Sequence, residues 1–131
     1  MDLQTLIPTS DTITVEIKHP VTEETMVNPD KSPMTITLWN TFSDKYKEVM
    51  YSQADLRLAK ALSEGEDIKP KAADMDANAL DLLAKITKEW NITLGGETPK
   101  LTVKQAKELY IKVYGLRTQL EKGLNNSEAF T

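Results

Sequence analysis

The chain has 131 residues and a formal net charge of −4, with one histidine and no cysteine. This length fits one domain over residues 1–131, and a hydrophobic content of 40% supports a folded core. The composition excludes disulfides, thiolate chemistry and metal sites made from several histidines, and the acidic balance offers no basic surface for nucleic acid. We therefore expect a protein of a reducing compartment without cofactor, metal or nucleic-acid partner, and without a membrane span.

Residues 1–41 are predicted to be rich in β-structure. Apolar residues alternate with polar ones over 12–18 and again over 34–40, which is the period of a strand with one covered face. Prolines at 20, 29 and 33 forbid a central strand between these runs. The pattern predicts two antiparallel strands, with residues 21–27 as a candidate third strand. The residues expected to share one buried face are Ile13, Val15, Ile17, Met34, Ile36 and Leu38.

Residues 42–131 are predicted to be helical. Ser43 or Asp44 is the expected N-cap of a first helix that ends near residues 63–65, and the polar residues 63–72 are expected to form a mobile loop. A second helix is predicted from Asp74 or Asp76 to Trp90, with Trp90 on its apolar stripe. The expected buried stripe of the first helix comprises Phe42, Tyr46, Val49, Met50, Gln53, Leu56, Ala59 and Leu62.

Two further helices are predicted in the last third of the chain. Thr102 and Gln105 have the spacing of a capping box, which marks the start of a third helix. Gly115 interrupts the helical pattern and predicts a kink or a break. A short fourth helix is expected from the four-residue spacing of its leucines, and Gly123, Asn125 and Asn126 are expected to stop it. The fold class is therefore α+β, a small antiparallel sheet packed on three or four helices.

No residue pattern in the chain indicates catalysis. His19 has no neighbouring partner that would make it a general base, and Asp74 and Asp76 are expected to favour a helix N-terminus rather than to bind a metal. Gly95-Gly96 predicts a turn, because a phosphate-binding loop needs further glycines and a Lys-Ser/Thr ending. We predict no enzyme; a hydrolase that uses carboxylates alone is the one chemistry that the composition leaves open.

Apolar residues of the second half are candidates for contact with a partner. They are more numerous than one short terminal helix normally covers, so either the domain core, a second copy or a client must cover them. Trp39 is expected on the sheet face opposite Leu38, either packed by the chain itself or in contact with another chain. The candidate partner-binding residues are Trp90, Leu94, Leu109, Tyr110, Tyr114, Leu116, Leu120, Leu124 and Phe130. Changing Leu120 and Leu124 to Ser is expected to abolish client binding or self-association without unfolding the protein.

The order of these features over residues 13–130 resembles that of a known family. Two alternating strands flank a His-Pro loop, Ser43-Asp-Lys-Tyr46 opens a helix, and a Leu-rich segment leads to Trp90. A Gly-containing turn, the cap at Thr102, two helices and the ending with Asn126 and Phe130 follow. This arrangement is similar to that of the tail assembly chaperones of long-tailed bacteriophages.

The resemblance implies a non-enzymatic role in tail morphogenesis in the host bacterial cytoplasm. Members of that family bind the long, helical tape measure protein, and they are generally absent from the finished virion. The implied partners here are the tape measure protein and other tail proteins, with self-association left open. The alternative is a structural adaptor of similar size, a head–tail or tail-tip component that stays in the virion.

Overall fold

The computed structural model describes residues 2–6, 11–64 and 72–125 of the chain. The described part contains a three-stranded antiparallel sheet and four α-helices, after a short 3₁₀ helix at Leu3–Leu6, so the α+β class is confirmed. The strands are β1 (Thr12–Glu16), β2 (Thr35–Trp39) and β3 (Thr87–Asn91). The helices are α1 (Asp44–Glu64), α2 (Ala72–Lys85), α3 (Val103–Lys112) and α4 (Leu116–Asn125).

The predicted buried face of the sheet is confirmed. β1 and β2 are antiparallel, with Ile13 opposite Leu38 and Val15 opposite Ile36, and directly opposed residues lie on the same face. The Ile17 amide extends this pairing by donating to the Met34 carbonyl at 2.9 Å. Of the six predicted residues, four are buried and the other two, Val15 and Met34, pack half-buried against the same core.

The third strand is not where the sequence placed it. Residues 21–27 contain no strand; they make only two isolated bridges, from Thr25 to Lys18 and from Val27 to Pro33. The predicted continuation of the second helix to Trp90 was wrong, because α2 ends at Lys85 and β3 pairs antiparallel with β2. Ile86 and Trp90 are four residues apart, a spacing that places them on one face of a helix and equally on one face of a strand. Pairing with β2 favours the strand, because β3 bonds to the backbone groups on the second side of β2, which would otherwise lack partners.

Local signals correctly positioned the starts of α1 and α3. The Tyr46 amide donates to Ser43 Oγ at 3.1 Å, and the Gln105 amide donates to Thr102 Oγ1 at 3.1 Å, so both predicted N-caps are confirmed. Gly115 separates α3 from α4 with a φ of +78°, a conformation that glycine adopts without the penalty of a Cβ atom. The segment predicted as a mobile loop, residues 63–72, lies outside the described residues except at its ends, which belong to α1 and α2.

Gly123 does not stop the fourth helix as predicted. It lies within α4, which continues to Asn125, and faces β1. A Cβ atom at this position would lie 2.6 Å from Val15 Cγ2, closer than packed carbon atoms approach. The glycine is therefore a packing requirement, because it allows α4 to lie directly against the sheet.

Asp81 joins three helices beside this core. Its carboxylate on α2 accepts from Lys107 of α3 at 2.6 Å, from Lys85 at 2.9 Å and from Gln53 of α1 at 3.0 Å. Burial opposes ionisation of this carboxyl, but the two ammonium groups and the amide outweigh that effect and lower the pKa of Asp81 to about 2. The Gln53 amide also donates to the Asn78 carbonyl at 3.0 Å, which fixes the middle of α1 on α2.

Candidate binding surfaces

Four of the nine predicted partner-binding residues belong to the protein's own core. Leu109, Tyr110, Leu116 and Leu120 are buried, and Leu120 has an exposed fraction of 0%. The Tyr110 hydroxyl shares a 2.6 Å hydrogen bond with Thr87 Oγ1, and burial raises the pKa of Tyr110 to about 12. These side chains are absent from the surface of the folded protein. The expectation that serine at 120 leaves the fold intact is therefore wrong, because a buried leucine that becomes polar leaves a cavity and an unsatisfied hydroxyl.

The other predicted contact residues are dispersed. Trp90 and Leu124 are half-buried against the core, and the Trp90 indole N–H donates to the Pro99 carbonyl at 2.9 Å. Leu94 lies in the exposed Gly95-Gly96 turn, and Tyr114 is 82% exposed next to Gly115. Phe130 lies outside the described residues. A partner-binding role for the accessible members of this set stays a prediction.

Trp39 packs at the edge of the core. The side chain is half-buried against the core cluster, and Lys88 Nζ lies 4.9 Å from the centroid of its ring, within the range of a cation–π contact. The chain itself therefore covers part of this indole. Contact of the remaining surface with another chain stays a prediction.

An exposed row of apolar residues lies on α1, outside the set of predicted partner-binding residues. Met50, Ala54, Leu58 and Leu62 are exposed and recur every four residues, which places them in one row along the helix. Tyr51 is 66% exposed and lies next to this row, seven residues before Leu58. We call these five residues the outer α1 face.

Charged residues border the outer α1 face on both sides. By helical spacing Glu48 and Asp55 follow one border and Arg57 the other. An exposed apolar strip with polar borders is typical of a surface that contacts another molecule. The opposite side of α1 packs on the domain through Tyr46, Val49 and the hydrogen bonds of Gln53, so the outer α1 face points away from the domain.

This surface corrects the predicted buried stripe of the first helix. Tyr46 and Val49 do pack inward, but Met50, Leu56, Ala59 and Leu62 are exposed, Leu62 to 75%. The available signal was the number of apolar residues in α1, which is larger than one stripe can hold. Tyr51 and Leu58 fit none of the positions assigned to the core stripe, and a second row was needed to account for them.

The described residues contain no cluster of three or more carboxylate or imidazole groups that could hold a metal ion. His19 Nδ1 accepts from the amides of Val21 and Thr22 at 3.1 and 3.2 Å, which places the imidazole in a turn. Asp74 lies in the first turn of α2, and Asp76 contacts Arg117 of α4 at 3.1 Å. The helix dipole therefore accounts for Asp74, and the ion pair with Arg117 accounts for Asp76.

Among the helices of the described ranges, none combines the length and the apolar character needed to cross a bilayer. Comparison of the chain with protein-family models, with curated proteins and with solved structures finds no match.

Proposed function

We propose that this protein is a non-enzymatic binding protein that holds an apolar helical segment of a client on the outer α1 face. The exposed row at positions 50, 54, 58 and 62 carries this proposal, together with Tyr51 beside it. The resemblance of the chain to tail assembly chaperones suggests the client: the tape measure protein of a long-tailed phage. The protein would then act in the host bacterial cytoplasm during tail morphogenesis.

The spacing of the row favours a helical client. Residues four apart form a ridge on a helix, and such a ridge packs into the groove between the ridges of a second helix. An amphipathic helix binds this way through apolar anchors spaced along one face. Covering those anchors removes from water the surface through which free client chains would aggregate.

The experiment is co-expression with the tape measure protein of the same phage, followed by measurement of soluble client. The test variant is Leu58→Ser with Leu62→Ser, and the matched control is Leu56→Ser. Leu56 is 65% exposed on the same helix but lies two residues out of phase with the row, on a different side. We expect the control to keep the client soluble, and the double variant to lose it while its circular dichroism spectrum stays unchanged. Equal amounts of soluble client with both variants would contradict the proposal.

The alternative, a structural adaptor of the virion, is distinguished by where the protein ends up. Mass spectrometry of purified virions would detect an adaptor at a fixed number of copies per particle. We expect the protein in assembly intermediates and not in finished particles. Stoichiometric recovery from finished particles would replace the proposed role by the adaptor role.

A further inference from the structure

β1 is an edge strand of the sheet, because the strand order is β1-β2-β3. The Ile17 amide bonds to the Met34 carbonyl, and the Asn40 amide bonds to the Asp11 carbonyl. Backbone groups alternate between the two sides of a strand, so odd-numbered residues of β1 bond to β2. The amide and carbonyl groups of Thr14 and Glu16 consequently point to the free edge, where no described residue bonds to them.

At Lys18, the next residue that faces this edge, a side chain already makes the hydrogen bonds of an added strand. The Lys18 amide donates to Gln119 Oε1 at 2.8 Å, and Gln119 Nε2 donates to the Lys18 carbonyl at 2.8 Å. A carboxamide has the same donor and acceptor as a peptide group. The pair of bonds is therefore the pair that one residue of an added antiparallel strand would make.

A groove of about 840 Å³ runs along the same edge. One wall is α4, which contributes Gln119, Lys122 and Gly123, and the other side is β1 itself with Val15 and Glu16. The absence of a side chain at Gly123 keeps this wall close to the strand. The groove thus combines open backbone groups with a mixed apolar and polar lining, as sites that bind an extended peptide do.

We infer that the free edge of β1 binds an extended segment of another protein, which adds as a fourth strand next to Thr14 and Glu16. The occupant is a single extended segment rather than the sheet of a second copy, because α4 lies beside the edge. Pairing two β1 edges around a two-fold axis would bring two copies of α4 against the same short stretch. The carboxamide of Gln119 occupies the position at Lys18, so the added strand pairs with Thr14 and Glu16, and this sets its register.

The opposing interpretation is that Gln119, Glu16 and Lys18 only protect the edge. Natural sheets use charges and covering groups to prevent edge-to-edge pairing. Protection predicts that no peptide pairs with Thr14 or Glu16, and that removing the Gln119 carboxamide exposes the edge to self-association. Docking predicts that extended peptides bind the wild-type protein directly, so the two interpretations differ in a measurable way.

The test is an array of acetylated, amide-terminated hexapeptides probed with the folded full-length protein. Thr14→Pro removes the outward amide while leaving the amides of Ile13 and Val15 free to bond to β2. Thr14→Val is the matched control, since it removes the same hydroxyl, which contacts Thr37 Oγ1 at 3.1 Å, but keeps the amide. A second set of peptides carries N-methyl groups at alternate positions. These groups remove backbone N–H donors of the peptide, and they alter neither the protein nor the side chains of the peptide.

We expect a subset of hexapeptides with apolar residues at alternate positions to bind the wild type and Thr14→Val. Thr14→Pro should bind these peptides about tenfold more weakly, and one of the two N-methyl registers should lose binding by a similar factor. Binding that neither change affects, no bound peptide at all, or a dimer of the free protein that Thr14→Pro dissociates would each overturn the inference. The peptides are too short to form a stable helix, so this result is independent of the proposed client on the outer α1 face.

Discussion

Replacing Gly123 by alanine tests the contact between α4 and the sheet. In an exposed helix this substitution stabilises a protein by about 1 kcal/mol, because alanine restricts the unfolded chain and favours helix. Here the added Cβ atom would lie 2.6 Å from Val15 Cγ2. Overpacking of this kind costs about 1–3 kcal/mol, and Val15 is β-branched, so it has few other rotamers that would relieve the contact.

The two effects have opposite signs, and we expect the clash to be larger. Gly123→Ala should lower the free energy of unfolding by about 1–2 kcal/mol. With an unfolding entropy of about 2.1 cal/mol/K per residue, the 131 residues give about 0.28 kcal/mol/K. The melting temperature should therefore fall by about 4–7 °C.

A double-mutant cycle with Val15→Ala separates the two effects. In the Val15→Ala background the Cβ atom at position 123 has room, so alanine there should stabilise the protein by about 0.5–1 kcal/mol. The resulting coupling energy of about 1.5–3 kcal/mol is in the range found for residues in direct contact. Thermal and urea unfolding of the four proteins give the cycle. If Gly123→Ala stabilises both backgrounds equally, the close approach of α4 to β1 is wrong.

Three further predictions concern stability. Leu120→Ala should lower the free energy of unfolding by about 2–5 kcal/mol, because this side chain is fully buried. Leu62 is 75% exposed, so Leu62→Ala should change the stability measured by thermal unfolding by less than about 0.5 kcal/mol. Ile36→Ala should also cost about 2–5 kcal/mol in urea unfolding, and a loss below 1 kcal/mol would contradict its place in the core. The pKa of Asp81 is lower in the folded protein than in the unfolded chain, where it is near 4, so its ionised form stabilises the fold above about pH 4. We expect about 1 kcal/mol of stability, a figure already reduced for solvent screening, to be lost as the pH falls from about 4 to about 2. Asp81→Asn should lack that part of the pH dependence in acid titrations of stability.

Local signals in the sequence predicted much of this fold. The alternation of Ile13, Val15 and Ile36 identified a sheet face, and Ser43 and Thr102 identified helix starts, because each depends on residues close in the chain. Such features are determined by side-chain periodicity and by hydrogen bonds that span three residues.

The errors occurred where distant parts of the chain decide the outcome. Trp90 continues a helical pattern, yet β2 supplies a strand partner that no local rule reveals. The sequence predicts a helix stop at Gly123, yet a glycine is needed there because Val15, more than a hundred residues earlier, packs against this position. Neither effect can be read from the neighbouring residues.

The candidate site was predicted less well than the fold. An apolar residue on a helix has the same spacing whether it faces the core or a partner, so Leu120 and Leu58 look alike in the sequence. Only the packing of α1 through Gln53 and Val49 shows which row remains outside. The number of apolar residues in α1 indicated a second row, but not which row would be covered.

Site-specific photo-crosslinking shows whether a client lies on the outer α1 face. A benzophenone amino acid is placed at position 58 on the outer α1 face, or at the out-of-phase position 56 as a control, during co-expression with the tape measure protein. We expect crosslinks from position 58 to client residues spaced three and four apart, and few from position 56. Client crosslinks of equal yield from both positions, or none from position 58, would contradict this expectation.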